Sequence, residues 1–167
     1  MEYQSTLPYP KIKVVKQNQL YAEILSSSYA GANSELSAIH LYIYQYLIEE
    51  NSFSQYHEIL KEIAKVEMHH LNMLGQIIMK LGKEPKFNSY DNMKITPWST
   101  TNINYKTDLL TMLEIDIKGE QTAIKNYQKQ IKQIDDIYIK DLLNRIILDE
   151  QIHLTIFEKL YQEFTSC

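Results

Sequence analysis

Four long stretches in which apolar residues return every three or four positions dominate this chain, and that period is helical. The first covers about residues 18–50 and carries Ile24, Ala38, Ile39, Tyr42, Ile43 and Tyr46. The second, about 54–81, carries Ile59, Ile63, Val66, Leu74, Ile77 and Leu81. The third, about 107–134, carries Leu110, Leu113, Ile117, Ile124, Tyr127 and Ile131, and the fourth, about 137–164, Leu142, Leu143, Ile146, Phe157 and Leu160. Only 4 Gly and 4 Pro occur in 167 residues, which favours long helices over many short strands. Gly31 lies inside the first run and is placed to bend it. Gly82 follows the second run, where a helix C-terminal cap belongs. Thr107 or Asp108 can cap the third run.

The joins between runs set the topology. Residues 50–54 and 134–136 read as short turns, which force antiparallel neighbours. Residues 82–106, with Pro85, Pro97, Trp98 and several Asn and Ser, show no helical period. A connection of this length needs a structural reason. Runs of about 28 residues are roughly 42 Å long, and about 25 extended residues reach roughly 80 Å. The long join can therefore return along the bundle and leave runs 2 and 3 parallel. The expected fold is an all-α four-helix bundle with one long crossover between helices 2 and 3, the topology of ferritin-like folds. Pro8 and Pro10 exclude a helix at the start, so residues 1–17 are expected as an extended arm and 18–167 as the bundle domain.

Polar residues interrupt each apolar stripe in a patterned way. Glu67 lies four after Ile63 and seven before Leu74, with His70 three further on. Glu150 lies four after Ile146 and seven before Phe157, with His153 three further on. Glu120 has Leu113 seven before and Ile124 four after, and Glu35 has Ile39 four after and Tyr42 seven after. Each run thus puts one glutamate on its apolar face, near the middle of its length. Ionised carboxylates alone in a dry core are too costly, so they are protonated or neutralised by cations. Four carboxylates and two neutral imidazoles balance two divalent metal ions. Chance gives roughly 0.4 Glu-x-x-His matches in such a chain. Two matches in the stripes, with two further glutamates at matched offsets, form the ligand pattern of di-iron and di-manganese bundles. The pattern also repeats: a lone Glu is followed by Glu-x-x-His in each half, and Tyr42 and Tyr127 each lie seven after the lone glutamate.

The remaining signals bound the function. A net charge of −4 with interspersed signs argues against nucleic acid as a partner. No apolar run is long enough for a membrane span, and the N-terminus lacks the apolar core of a secretory signal. A single cysteine, Cys167, cannot make an internal disulfide, and a cytoplasmic location is expected. His69 points about 100° away from His70, and His40 lies about 140° off the Glu35 face, so neither reads as a ligand. His57 is expected near a helix start, exposed. Asp116, four before Glu120, is a candidate acceptor for a ligand histidine. Tyr42 and Tyr127 are candidates either for hydrogen bonds to the glutamates or for plain packing.

Three stretches resemble the manganese catalase and related spore-coat group of the ferritin-like superfamily. "AGANSELSA" at 30–38 is similar to its Gly-Gly-Ala-x-Gly-Glu-Leu-x-Ala, and "GEQTA" at 119–123 to its Ala-Glu-Gln-x-Ala. "YP" followed by "KV" near the start is similar as well. Rubrerythrins are next nearest; they typically carry a second helix-3 glutamate where this chain has Ala123. The resemblance implies metal ligands Glu35, Glu67, His70, Glu120, Glu150 and His153, with Glu67 and Glu150 bridging or flanking two Mn or Fe ions at the catalytic centre. It implies an oxidoreductase acting on hydrogen peroxide or dioxygen, of catalase or peroxidase type, with an external electron donor in the peroxidase case and a homo-oligomeric assembly. The alternatives are a rubrerythrin-like ferroxidase or iron store, and a non-catalytic, metal-stabilised coat or scaffold protein.

Overall fold

The structure is a computed structural model, which describes residues 2–48, 54–91 and 94–166. It contains α1 (Gln19–Ala30), α2 (Glu35–Ile48), α3 (Ser54–Lys80), the strands β1 (Asn88–Asp91) and β2 (Lys94–Pro97), α4 (Leu109–Gln133) and α5 (Ile137–Thr165). Helix α2 packs on α3 and α4 on α5. Together with α1 they form a ferritin-like four-helix bundle, in which α1 and α2 share the first position. The expected turn at 50–54 and Cys167 fall largely or wholly outside the described residues.

Two apolar cores fix the direction of each helix. One joins Leu25 of α1, Leu74 and Ile77 of α3 with Leu81 just beyond its end, Tyr127 of α4, and Leu142, Leu143 and Ile146 of α5. The other joins Tyr42 of α2, Tyr56, Leu60 and Ile63 of α3, Met112 and Leu113 of α4, and Phe157 and Leu160 of α5. The start of α3 therefore meets the start of α4, and their ends meet as well. The two helices run parallel, and residues 81–108 cross back along the bundle.

The first helical run is not continuous. Gly31 closes α1 by donating its N–H to Ser27 O at 3.1 Å. A Cβ on Gly31 would lie 2.4 Å from that carbonyl oxygen, so the close approach requires glycine. Ser34 opens α2: its Oγ accepts from Ser37 N–H at 3.3 Å, and its carbonyl accepts from Ala38 N–H at 2.9 Å. The break is held from outside by Trp98, whose indole N–H donates to Ser37 Oγ at 2.9 Å. The other helix ends follow local chemistry. At Gly82 (φ +91) its N–H reaches Met79 O and Lys83 N–H reaches Ile78 O, the paired bonds of a glycine-terminated helix. Asp108 and Asp136 cap α4 and α5.

The crossover is more structured than its sequence suggests. β1 and β2 pair antiparallel, Asn88 opposite Pro97 and Ser89 opposite Thr96. The hairpin docks on α1 through Tyr90 N–H to Ser26 Oγ at 3.0 Å. All of β2 is exposed, so it lacks the apolar alternation that marks a strand in sequence. No helix among the described residues is long and apolar enough to cross a membrane.

Candidate metal centre

Between the two apolar cores lies a layer of buried polar side chains. Glu35 opens α2, Glu67 and His70 lie mid-way along α3, Glu120 on α4, and Glu150 and His153 on α5. None of these six exceeds 4% exposure. They fall into two overlapping quartets, each with one atom per residue and all such atoms within 4.8 Å of one another. One quartet is Glu35, Glu67, His70 and Glu150. The other is Glu67, Glu120, Glu150 and His153. Glu67 and Glu150 belong to both. The helix break puts Glu35 in the first turn of α2, where a carboxylate faces the positive end of the helix dipole.

Both imidazoles aim Nδ1 into the cluster. His70 Nδ1 lies 3.2 Å from Glu67 Oε2, 3.3 Å from Glu150 Oε1 and 3.7 Å from Glu35 Oε2. His153 Nδ1 lies 2.9 Å from Glu67 Oε1, 3.7 Å from Glu150 Oε2 and 3.8 Å from Glu120 Oε2. The opposite nitrogens face outward: His70 Nε2–H donates to Asp149 Oδ2 at 3.0 Å, and His153 Nε2–H to Tyr3 O at 2.9 Å. Tyr42 donates its hydroxyl to Glu120 Oε1, and Tyr127 to Glu35 Oε1. Of the two roles open to these tyrosines, both donate to carboxylates, and each serves the glutamate of the other half.

The charges in this layer are mutually adjusted. Burial, then repulsion from Glu67 and Glu150, pushes Glu35 well above the usual carboxylate range. Burial and the Glu150 charge push Glu120 well up in the same way. Burial also opposes ionisation of Glu67, but hydrogen bonds from Glu35 and the charge of His153 outweigh it and hold Glu67 well down. Burial and the Glu67 charge oppose ionisation of Glu150, but the two histidines close beside it hold it down. Burial works against charge on the histidines, yet the surrounding carboxylates raise both well above the usual imidazole range. In this state, protons on Glu35, Glu120 and the two imidazoles balance the cluster.

The residues present fit a pair of metal ions. Glu67 Oε1, Glu150 Oε1 and His153 Nδ1 are buried and crowd one another, His153 Nδ1 lying 2.9 Å from Glu67 Oε1, yet none of the three makes a well-aligned hydrogen bond, although such atoms are normally satisfied. All three point into the shared centre of the two quartets. Oxygen-rich sites with one imidazole per ion suit Mn or Fe.

The carboxylate side opens to a cavity of about 470 Å³ between α2 and α4. Glu35, Glu67, Glu120 and Glu150 line it together with Ala38, Leu41, Gly119 and Ala123, whereas neither histidine does. The cavity therefore meets the cluster at its carboxylate face.

Several other residues resolve differently. Asp116 accepts from Gln45 Nε2 at 2.9 Å and from the Tyr56 hydroxyl at 2.6 Å, not from a histidine. It lies one turn toward the start of α4, beside the second apolar core, while both Nε2 atoms point to the far side of the bundle. Burial raises its pKa to about 7. Asp149 takes the role expected of Asp116, from the position just before Glu150. His69 is exposed and meets the Tyr9 ring edge-on at 4.7 Å. His40 packs on Trp98 at 4.7 Å. His57 is half-buried rather than exposed, because its ring stacks on Tyr46 at 3.9 Å.

Residues 23–161 match the protein family described as Rubrerythrin. Protein CotJC of Bacillus subtilis is 28% identical over 94% of this chain and 90% of its own. A bacterioferritin of Desulfovibrio desulfuricans is 31% identical over 75% of this chain and 67% of its own. A crystal structure of a Desulfovibrio desulfuricans bacterioferritin, described with a diiron site, aligns at a TM-score of 0.74 with 26% identity, over 88% of this chain and 81% of that one. KatB, a manganese catalase from Anabaena, aligns at a TM-score of 0.86 with 24% identity, over 99% of this chain and 81% of that one. With a family match across nearly the whole bundle, this chain belongs to the rubrerythrin family, on the ferritin-like fold.

Proposed function

We propose that this protein is a di-metal carboxylate redox enzyme that acts on hydrogen peroxide or dioxygen, of catalase or peroxidase type. The observation that carries the reading is the pair of quartets sharing Glu67 and Glu150. In this reading Glu35 and His70 would hold one ion and Glu120 and His153 the other, with Glu67 and Glu150 available to either. A bound Mn or Fe pair supplies two-electron redox chemistry, which matches the two electrons needed to reduce a peroxide.

The chain's own residues do the rest. The cavity walls of Ala38, Leu41 and Ala123 admit a small substrate and limit water around the carboxylates. Tyr127 and Tyr42 fix one oxygen each of Glu35 and Glu120, leaving the other oxygen of each to face the centre. The manganese catalase likeness of KatB supports peroxide as substrate. The bacterioferritin relative with its diiron site supports a second reading, oxidation of Fe(II) with dioxygen, at the same residues.

Metal content and turnover separate the two. The expected result is about two Mn or Fe per chain, with oxygen evolved from peroxide without added reductant. Turnover only with a reductant would indicate the peroxidase. Rapid Fe(II) oxidation with little peroxide turnover would favour the second reading. Protein from metal-replete cells with no bound metal would sink both.

A further inference from the structure

Among the described residues, none before α1 lines the cavity on the carboxylate side of the cluster, yet this segment reaches both histidines from behind. Tyr3 O accepts from His153 Nε2–H at 2.9 Å. Ser5 N–H donates to Asp149 Oδ1 at 2.7 Å, and the Tyr9 hydroxyl to Asp149 Oδ2 at 2.5 Å, the oxygen that also accepts from His70. Arg145 pins the segment down. Its Nε donates to Leu7 O at 2.7 Å, its Nη2 to Ser5 O at 2.8 Å and its Nη1 to Asp149 Oδ1 at 2.6 Å. Its guanidinium also lies 4.0 Å over the Tyr9 ring. Arg145 and Asp149 are 5% and 0% exposed, so these are enclosed, charge-assisted bonds.

The chemistry of these contacts is directional. A main-chain carbonyl only accepts, so His153 must carry its proton on Nε2 to make the bond. A neutral His153 then presents a bare lone pair on Nδ1 toward Glu67 and Glu150. Asp149 imposes the same tautomer on His70. We propose that residues 3–9 are a positioning element of the centre. They set the ring orientation and tautomer of His153 directly through Tyr3 O, and those of His70 through Asp149. The proposal rests on reading the cluster as a metal centre.

The test compares wild type, a deletion of residues 2–7, Ser5→Pro, Tyr9→Phe, Asp149→Asn and the Tyr9→Phe/Asp149→Asn pair. Mn(II) and Fe(II) affinities are measured by chelator competition. Helix content and Tm of the metal-free proteins report the fold. In Zn(II)-loaded, ¹⁵N-histidine-labelled protein, NMR reads which imidazole nitrogen carries the proton. Loss of such outer partners typically costs 10–100-fold in metal affinity, and about that loss is expected for the deletion, with the Nε2–H signal of His153 altered. Ser5→Pro and Tyr9→Phe should lose less, mainly at His70. Tyr9→Phe should add nothing in the Asp149→Asn background, because both act on one path. Where the deletion itself does not fold, the two point variants decide. Wild-type affinity and histidine signals in folded arm variants would overturn the positioning role alone. A wild type that binds no metal would overturn the metal reading and this inference with it.

Discussion

Glu67 and Glu35 sit in the same layer but in unequal positions, and in the proposed di-metal centre substitution should expose the difference. Glu67 belongs to both quartets and Glu35 to one. Glu67→Ala is expected to lose both ions, and Glu35→Ala chiefly one, as metal per chain by elemental analysis. Full occupancy in Glu67→Ala would refute its shared role. Metal uptake should also release protons, because Glu35, Glu120, His70 and His153 are all held in their protonated forms by their surroundings. About two protons per ion are expected in a weakly buffered titration, so affinity falls as pH falls. Asp116 titrates separately. Its pKa is raised from 3.8 to about 7 by burial, so it favours the fold only while protonated. Its contribution is complete below about pH 4 and is lost as pH rises to about 7, by at most about 4 kcal/mol. Metal-free Asp116→Asn should show a flatter urea-stability profile across that window than wild type. The six cluster residues were legible in the sequence because helical spacing alone puts them on the apolar faces. Asp149 left a weaker trace: it adjoins Glu150, but only the fold shows that its side chain turns toward His70 on another helix. Tyr3 left none, since its contribution is a main-chain carbonyl that any residue could supply.

Among the elements, the helices were the readable part. Their apolar period, Gly82 and Asp108 marked their ends, because these features act within one turn of chain. The break at 31–34 was only half visible. Gly31 signalled a bend, but the full interruption depends on Ser34 as a cap and on Trp98 bonding Ser37 from 61 residues away. The hairpin was not visible, since its strands bury no apolar face. The break also makes a prediction. Gly31→Ala places a methyl group against Ser27 O, where the space is 2.4 Å. Such backbone conflicts cost about 1–3 kcal/mol. Because Glu35 starts the next helix, lower urea stability should come with weaker metal binding. A stable variant with intact binding would show that the break tolerates a side chain.

For the whole molecule, the cluster is a polar layer set between two apolar ones. Binding of ions to the native state alone would therefore stabilise the entire bundle. At free metal 100 times Kd the gain is about 2.7 kcal/mol, which should appear as a raised Tm with Mn(II) or Fe(II) and its reversal by chelator. An unchanged Tm at saturating metal would count against a bound pair. The two long-range tyrosine bonds also bear on how such a chain can be built. Tyr42 serves Glu120 and Tyr127 serves Glu35, so neither helical hairpin completes its own half of the layer. A single hairpin made alone could assemble this centre only by docking against a copy of itself. In that sense the fused chain is a dimer written into one polypeptide, and its long crossover is the tether that makes the pairing permanent.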